Sequence, residues 1–193
     1  MAHDPYVLPE GLPVPEDDGA ADHLVGVSVP RLSLPSSLGD VGLGELTADR
    51  AVIYFYPRTG KPEKPIPAGW DAIPGARGCT PQSCGFRDHA AQLAMFGARV
   101  AGVSAQPLDE QVEFAARTKM PFPIVSDETL ALAEALSLPT FDFEGERLYK
   151  RLALIAEEQT IVKVFYPVFP PDRNADDVLE WLSENRPARA GRF

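Results

Sequence analysis

The chain is poor in cysteine and histidine, with two and three of them among 193 residues. Two cysteines five positions apart cannot staple a small secreted domain, which needs several, spread more widely. His3, His23 and His89 stand at no metal-type spacing from that pair, so a four-ligand zinc site is not indicated. An apolar run of about 18 residues is missing as well, which removes a membrane-spanning helix from consideration. Positive charge is short: 18 Lys and Arg against 28 Asp and Glu give a formal net charge of −10, with no basic stripe to reverse it locally. Such a surface repels phosphate backbones and anionic headgroups, so neither nucleic acid nor a membrane is an expected partner. The polar, proline-containing stretch Met1–Pro15 lacks the basic start and apolar centre of a secretory signal, and a cytoplasmic protein is expected.

What is present suffices for one well-buried core, since 45% of the residues are hydrophobic. Residues 1–24 carry Pro9, Pro13, Pro15 and the acidic run Glu16-Asp17-Asp18, and read as an extended or mobile tail. A single domain is expected over 25–186, followed by a short tail at 187–193. The first strong element is Ala51–Tyr56, a continuous β-branched and aromatic run that reads as a central strand covered on both faces. A long insertion rich in Pro and Gly follows, 57–78, in which Trp70 and Ile73 could be buried. It is either a packed lid or a loose surface loop.

A helix is expected over Pro81–Phe96, capped by Thr80, with Pro81 suited to a first turn. Then come a strand at Arg99–Ala105, an amphipathic helix at Asp109–Lys119 and a short strand at Phe122–Val125. Asp127 is placed to cap a helix at Thr129–Leu136. Strands at Leu148–Ile155 and Thr160–Phe165 and a closing helix at Ala175–Glu184 complete the order. A βαβ start with a terminal antiparallel hairpin makes an α/β domain, a central mixed β-sheet flanked by α-helices on the thioredoxin-like plan.

The chemistry concentrates in Gly78-Cys79-Thr80-Pro81-Gln82-Ser83-Cys84. Cys79 stands at a predicted helix start, where unpaired backbone N–H groups and the helix dipole favour an anion. The thiolate is the nucleophilic form, and an unperturbed thiol is only a few per cent thiolate at neutral pH. Five residues of regular helix rise about 7.5 Å and turn about 140°, which puts the two Cα atoms about 8–9 Å apart. A disulfide needs them within about 7 Å. If the two cysteines ever bond, the first turns must unwind. Cysteine is also a common small buried hydrophobe, and for Cys84 a buried spectator is the alternative reading. A thioredoxin-type reductase would space its cysteines two residues apart, not four.

These residues resemble the peroxiredoxins, in particular their bacterioferritin comigratory protein (PrxQ) branch. The resemblance is carried by Tyr54-Phe55-Tyr56-Pro57, Gly78-Cys79-Thr80 through Cys84-Gly85-Phe86-Arg87-Asp88, Phe122-Pro123-Ile124-Val125-Ser126-Asp127, and Arg151 leading to Val164-Phe165. It implies a thioredoxin-like fold and reduction of hydrogen peroxide and organic hydroperoxides without metal, haem or flavin. It implies that Cys79 becomes a sulfenic acid, that Cys84 condenses with it to a disulfide, and that thioredoxin or a glutaredoxin recycles the pair. A monomer is the implied state, with a homodimer open. The family's arginine falls on Arg151, or on Lys150 by strict alignment of Leu154-Ile155, and Arg87 is read as a surface or subunit-contact residue.

Two departures stand out. The family's Pro-x-x-x-Thr-x-x-Cys loop spans seven positions, whereas Pro57 and Cys79 are 22 apart, and the hydroxyl position three before the cysteine is Ala76. Either Thr59 returns to the site, or Thr80 or a water replaces the hydroxyl, or catalysis is slower. The other functions compatible with the same residues are a peroxide-responsive sensor or adaptor without sustained turnover, and a non-enzymatic thioredoxin-like binding module.

Overall fold

A computed structural model describes residues 4–186, so the expected tail at 187–193 lies outside the described residues. In chain order the elements are β1 (Ser33–Leu34), β2 (Val41–Gly42), α1 (Leu43–Leu46), β3 (Arg50–Phe55), α2 (Cys79–Asp88), α3 (Ala90–Met95), β4 (Ala98–Ser104), α4 (Leu108–Thr118), β5 (Ile124–Ser126), α5 (Ala131–Leu136), β6 (Thr140–Phe143), β7 (Glu146–Tyr149), β8 (Leu152–Glu157), β9 (Thr160–Phe165) and α6 (Asn174–Glu184). The main sheet has five strands in the order β5-β4-β3-β8-β9. β3, β4 and β5 run parallel, while β8 is antiparallel to both β3 and β9. This is the mixed sheet of the thioredoxin-like plan.

β3 is the centre because every residue in it is apolar enough to be buried, Arg50 excepted, and its side chains alternate between two cores. Ala51, Ile53 and Phe55 enter one core together with α1, α5 and the N-terminal residues Ala21 and Leu24. Val52, Tyr54 and the following Tyr56 enter the other, packed against Phe86 of α2, Leu93 of α3, Phe114 of α4 and Val178 and Leu182 of α6. Arg50 is tolerated at the strand end because Glu157 on β8 pairs with it at 2.5 Å and Asn185 O accepts from it at 3.1 Å. Among the described residues no helix is long and apolar enough to cross a membrane.

Several boundaries differ from the sequence reading, each for a local reason. The helix expected over 81–96 starts two residues earlier, at Cys79, because Gly78 and not Thr80 is the N-cap; Gly78 takes φ 101°, which an L side chain rarely adopts. The same helix breaks at His89, whose ring is held between Gln92 and Asp176. The single strand expected at 148–155 is two strands in different sheets, β7 and β8, joined through Lys150 and Arg151. β7 instead pairs with β6 in a hairpin that alternation alone did not reveal. Asp127 caps α5 as expected, through Ala131 N at 2.8 Å and Leu132 N at 3.0 Å.

The hairpin explains the insertion. Trp70, in a short 3-10 turn, packs with Ala76 and Leu148 in a third, small core that also takes in Ile66, Ile73, Phe141 and Phe143. Trp70 meets Phe143 edge-on at 5.0 Å, and the Arg58 guanidinium lies 5.4 Å over the Trp70 ring. Of the two readings of 57–78, the packed one describes its second half. Residues 4–24, read as extended or mobile, follow the domain surface: Ala21 and Leu24 are buried, and Asp18 pairs with Lys150 at 2.6 Å and accepts from Tyr166 Oη at 2.7 Å. Those two partners hold the Asp18 carboxyl down to about 2.

One position in the sheet has no room at all. Gly102 on β4 is in register with Tyr54, and a Cβ there would stand 2.5 Å from both Cζ and Oη of that tyrosine. Tyr54 cannot step aside, because its ring is stacked on Phe86 at 4.4 Å. Gly102→Ala is expected to cost about 2–3 kcal/mol, read as a fall of several degrees in the midpoint of thermal unfolding by circular dichroism. An unchanged midpoint would show that the Tyr54 side of this core is loosely packed.

Candidate active site

Cys79 opens α2, and four features converge on its sulfur. The helix start is the first. Gly78 O accepts the first intrahelical bond, from Gln82 N at 3.0 Å, so the N–H groups ahead of it are free to face an anion. The second is Arg151: its Nη2 donates to Cys79 Sγ at 3.2 Å. The third is the carbonyl of Ala76, which takes the thiol proton at 3.5 Å. The fourth is space. A cavity of about 330 Å³ is lined by Cys79 and Thr80 together with Thr59, Gln106, Trp70 and Ile66. Cys79 itself is only 3% exposed, and it is one of the residues that line that cavity.

Arg151 is the most heavily bonded side chain in the site. Nε donates to Gly75 O at 3.2 Å, Nη2 to Ala76 O at 3.1 Å and to Arg77 O at 3.0 Å, and Nη1 to Gln82 Oε1. A planar guanidinium with five donors can serve a ring of carbonyls and a sulfur at once, which an ammonium cannot. It is 3% exposed and has no carboxylate partner among the described residues, so its charge is directed at the sulfur and at backbone dipoles. Lys150, the other candidate, points away and is spent on Asp18. Of the two, Arg151 is the one that lies against the sulfur.

Gln82 and Asn174 were not singled out from the sequence. Gln82 accepts from Arg151 and passes Nε2 to Asn174 Oδ1 at 2.9 Å, so the guanidinium is tied to the first residue of α6. Both side chains are fully buried. The available signal was their amide character on apolar helix faces, since a buried amide must find partners.

The hydroxyl question has a partial answer. Ala76 is buried and offers only its carbonyl. Thr59 does return to the site: it lines the same cavity as Cys79, and its Oγ1 and N both donate to Gln106 Oε1, at 3.0 and 2.8 Å. Gln106 is held in turn by Glu110 at 2.7 Å. Thr80 lines the cavity as well. Pro57 follows β3, is buried, and its carbonyl accepts from Ser104 Oγ at 3.0 Å.

Cys84 lies five residues on, half-buried, and both thiols are free. Burial pushes the Cys84 thiol above its ordinary value, against the pull of Arg87 and Arg117. Arg87, read from sequence as a surface or subunit-contact residue, is anchored to Thr118 O at 3.0 Å beside Asp88 at 2.8 Å. Burial also holds Tyr54 and Tyr56 protonated, so neither phenol competes with the sulfur as an anion. The Tyr54 and Ser83 hydroxyls are buried beside both sulfurs without a hydrogen bond of good geometry.

The Redoxin family matches residues 24–179. Peroxiredoxin Bcp of Escherichia coli K12 is 27% identical over 169 residues, covering 83% of this chain and 96% of that one. The chloroplastic peroxiredoxin Q of Sedum lineare is 27% identical over 158 residues, covering 81% and 76%. Among solved structures, peroxidoxin BcpB from Mycobacterium tuberculosis superposes with a TM-score of 0.68 at 26% identity, covering 86% of this chain and all of that one.

Replacing Arg151 tests the site's construction independently of any reaction. Arg151→Met leaves the carbonyls of Gly75, Ala76 and Arg77 and the Gln82 amide without their donor. A loss of about 2–4 kcal/mol is expected in urea unfolding, with Arg151→Lys losing most of it as well. A midpoint within error of the parent would mean that the carbonyl ring does not depend on the guanidinium.

Proposed function

Because the chain belongs to the Redoxin family, in its Bcp/PrxQ-like peroxiredoxin branch, we propose that Cys79 is the residue that attacks the peroxide and that Cys84 resolves the product. The enzyme is a thiol peroxidase of the atypical two-cysteine type. The observation that carries the assignment of roles is the bond from Arg151 Nη2 to Cys79 Sγ, at a helix start that opens on a cavity.

The Cys79 thiolate attacks the distal oxygen of the peroxide. The O–O bond breaks, an S–O bond forms, and the leaving alkoxide or hydroxide takes a proton to become alcohol or water. Arg151 supplies fixed positive charge where negative charge is being passed from sulfur to oxygen, and it needs no rearrangement to do so. To Thr59, which lines the same cavity, falls the acceptance of a hydrogen bond from the peroxide, a role Ala76 has no hydroxyl to fill. The cavity, about ten times the volume share of one water, accommodates an organic hydroperoxide as readily as hydrogen peroxide.

The Cys84 thiolate then attacks the Cys79 sulfenic sulfur: the S–S bond forms, the S–O bond breaks, and the departing hydroxide takes a proton to become water. A dithiol reductant of the thioredoxin type, thioredoxin or a glutaredoxin, attacks that disulfide and leaves both cysteines reduced. In the folded helix the sulfurs project from positions five apart, so α2 opens in between.

Peroxide consumption with a thioredoxin recycling system tests the assignment. Cys79→Ser is expected to abolish it; Cys84→Ser should stop turnover through the intramolecular disulfide while leaving one oxidation per chain. Full activity of Cys79→Ser ends the proposal, and stoichiometric oxidation without sustained consumption in the parent would make the chain a sensor. Thr59→Val is expected to slow Cys79 oxidation about tenfold, and an unchanged rate removes Thr59 from the site. Since burial raises the Cys84 thiol, its thiolate fraction at neutral pH is small and grows with pH. Disulfide formation should therefore quicken by up to about tenfold per unit between pH 7 and 8.5, seen as the slower phase in stopped-flow fluorescence. A flat profile would show that Cys84 thiolate is not what limits that phase.

A further inference from the structure

If Cys84 is to reach Cys79, the first turns of α2 must open, and contacts made to them from outside the helix decide how readily they do. The N-terminal segment makes such contacts. Residues 4–23 precede the part of the chain that matches the Redoxin family. Pro5 is buried and forms part of the wall of the Cys79 cavity. The Tyr6 hydroxyl accepts from Arg117 Nη1 at 3.2 Å, and Arg117 is one of the two arginines whose charge reaches Cys84. Leu8 is half-buried over the helix cap: a Cβ on Gly78 would stand 2.7 Å from Leu8 Cδ2, with Pro171 closing the other side. Further along, Pro15 covers Gly75, where a Cβ would lie 3.6 Å from its ring, and Asp18 pins the segment to Lys150, next to Arg151. One stretch of chain thus touches the cavity mouth, the cap of α2 and the carbonyl loop that holds the guanidinium.

These contacts are made to the wound form of α2. Leu8 and Pro171 lie so close over Gly78 that not even a Cβ would fit there, and Tyr6 is bonded to Arg117, whose charge reaches Cys84. An interaction present in the closed form and absent from the open one lowers the open population by its full Boltzmann factor. We propose that residues 5–8 are a strap that holds the start of α2 closed, and that its release sets the rate at which Cys84 reaches the oxidised Cys79. The inference rests on the peroxidase reading above. Leu8 and Tyr6 are positioning residues, since neither lines the cavity. The strap also has a chemical consequence. A sulfenic acid that waits for Cys84 is open to a second peroxide, which oxidises it to the sulfinic acid and is itself reduced to water or alcohol. A tight strap therefore makes the chain easier to inactivate by excess peroxide.

The test uses the full chain carrying Tyr6→Phe and Leu8→Ala together, mixed with hydrogen peroxide and followed by tryptophan fluorescence, with mass spectrometry of Cys79. The first phase, oxidation of Cys79, should stay within about twofold of the parent, while the second, disulfide formation, should become about three- to tenfold faster. The peroxide concentration that converts half of Cys79 to sulfinic acid should rise by the same factor. Leu46→Ala, in the opposite core, lowers overall stability and should leave the second phase alone. A second phase that is unchanged or slower in the double variant overturns the strap while leaving the peroxidase standing. An equal acceleration by Leu46→Ala overturns it too, by making the effect global. Absence of the first phase in the parent overturns both.

Discussion

The site depends on one buried cation. Arg151 reaches the Cys79 sulfur only because the carbonyls of Gly75, Ala76 and Arg77 and the amide of Gln82 surround it, and those carbonyls converge only because the cation is there. An isolated guanidinium taken from water would be costly, and a loop with three inward carbonyls would be costly too; each offsets the other's lost hydration. The result is a positive charge with no carboxylate among the described residues to neutralise it, held against a sulfur at a helix N-terminus. Gln82 extends the frame through Asn174 into α6, so the geometry of the reacting atom is set by elements from both ends of the domain.

If Cys84 is to reach that sulfur, the same helix has to give way, and its construction bears on how easily it can. Its cap is a glycine with positive φ and no side-chain capping bond, and its fifth residue, Ser83, is fully buried with a hydroxyl that finds no good partner. An unpartnered buried hydroxyl costs about 1–3 kcal/mol, a penalty relieved when the turn opens to water. Opposing this are the apolar contacts of Phe86 and the covering residues Leu8 and Pro171. A helix start balanced in this way can be closed for attack and open for resolution without either state being inaccessible.

Much of the frame was legible in the sequence because it rests on runs that have one physical solution. The six-residue apolar strand β3 must be central, Asp127 must cap the helix after it, and a Gly-Cys-Thr-Pro segment must begin a helix. The parts that were not legible depended on partners distant in sequence. Nothing local distinguishes Lys150 from Arg151; the choice is made by Asp18, 132 residues away, which takes the lysine. Gln82 and Asn174 read as ordinary helix polar residues until the fold sets one against the other, 92 positions apart. The Thr80 cap was wrong because the pattern rules weigh side-chain oxygens, whereas here the chain needs a left-handed residue, and only Gly78 fits under Leu8 and Pro171. The β6–β7 hairpin escaped because its burial does not alternate cleanly, being half-exposed along β6; it is a strand pair only by virtue of the side chains that pack on it.

That packing accounts for the distance between Pro57 and Cys79. A tight loop can deliver a threonine to a cysteine by sequence spacing alone, whereas an insertion of this length must be ordered by burial of its own. Trp70, Ile66 and Ile73 supply the apolar surface, and the hairpin offers Phe141, Phe143 and Leu148 as the receiving face. Burying such a cluster is worth several kcal/mol, enough to offset the ordering of part of the loop but not of all 22 residues. The exposed middle, from Glu63 to Pro65, is left without such support. The insertion is accordingly anchored at its two ends. Gln106 holds Thr59 at the first, and the ring of acceptors around Arg151 holds residues 75–77 at the second. Both anchors border the cavity that reaches Cys79, since Thr59 and Gln106 at the first and Arg77 at the second are among its lining residues.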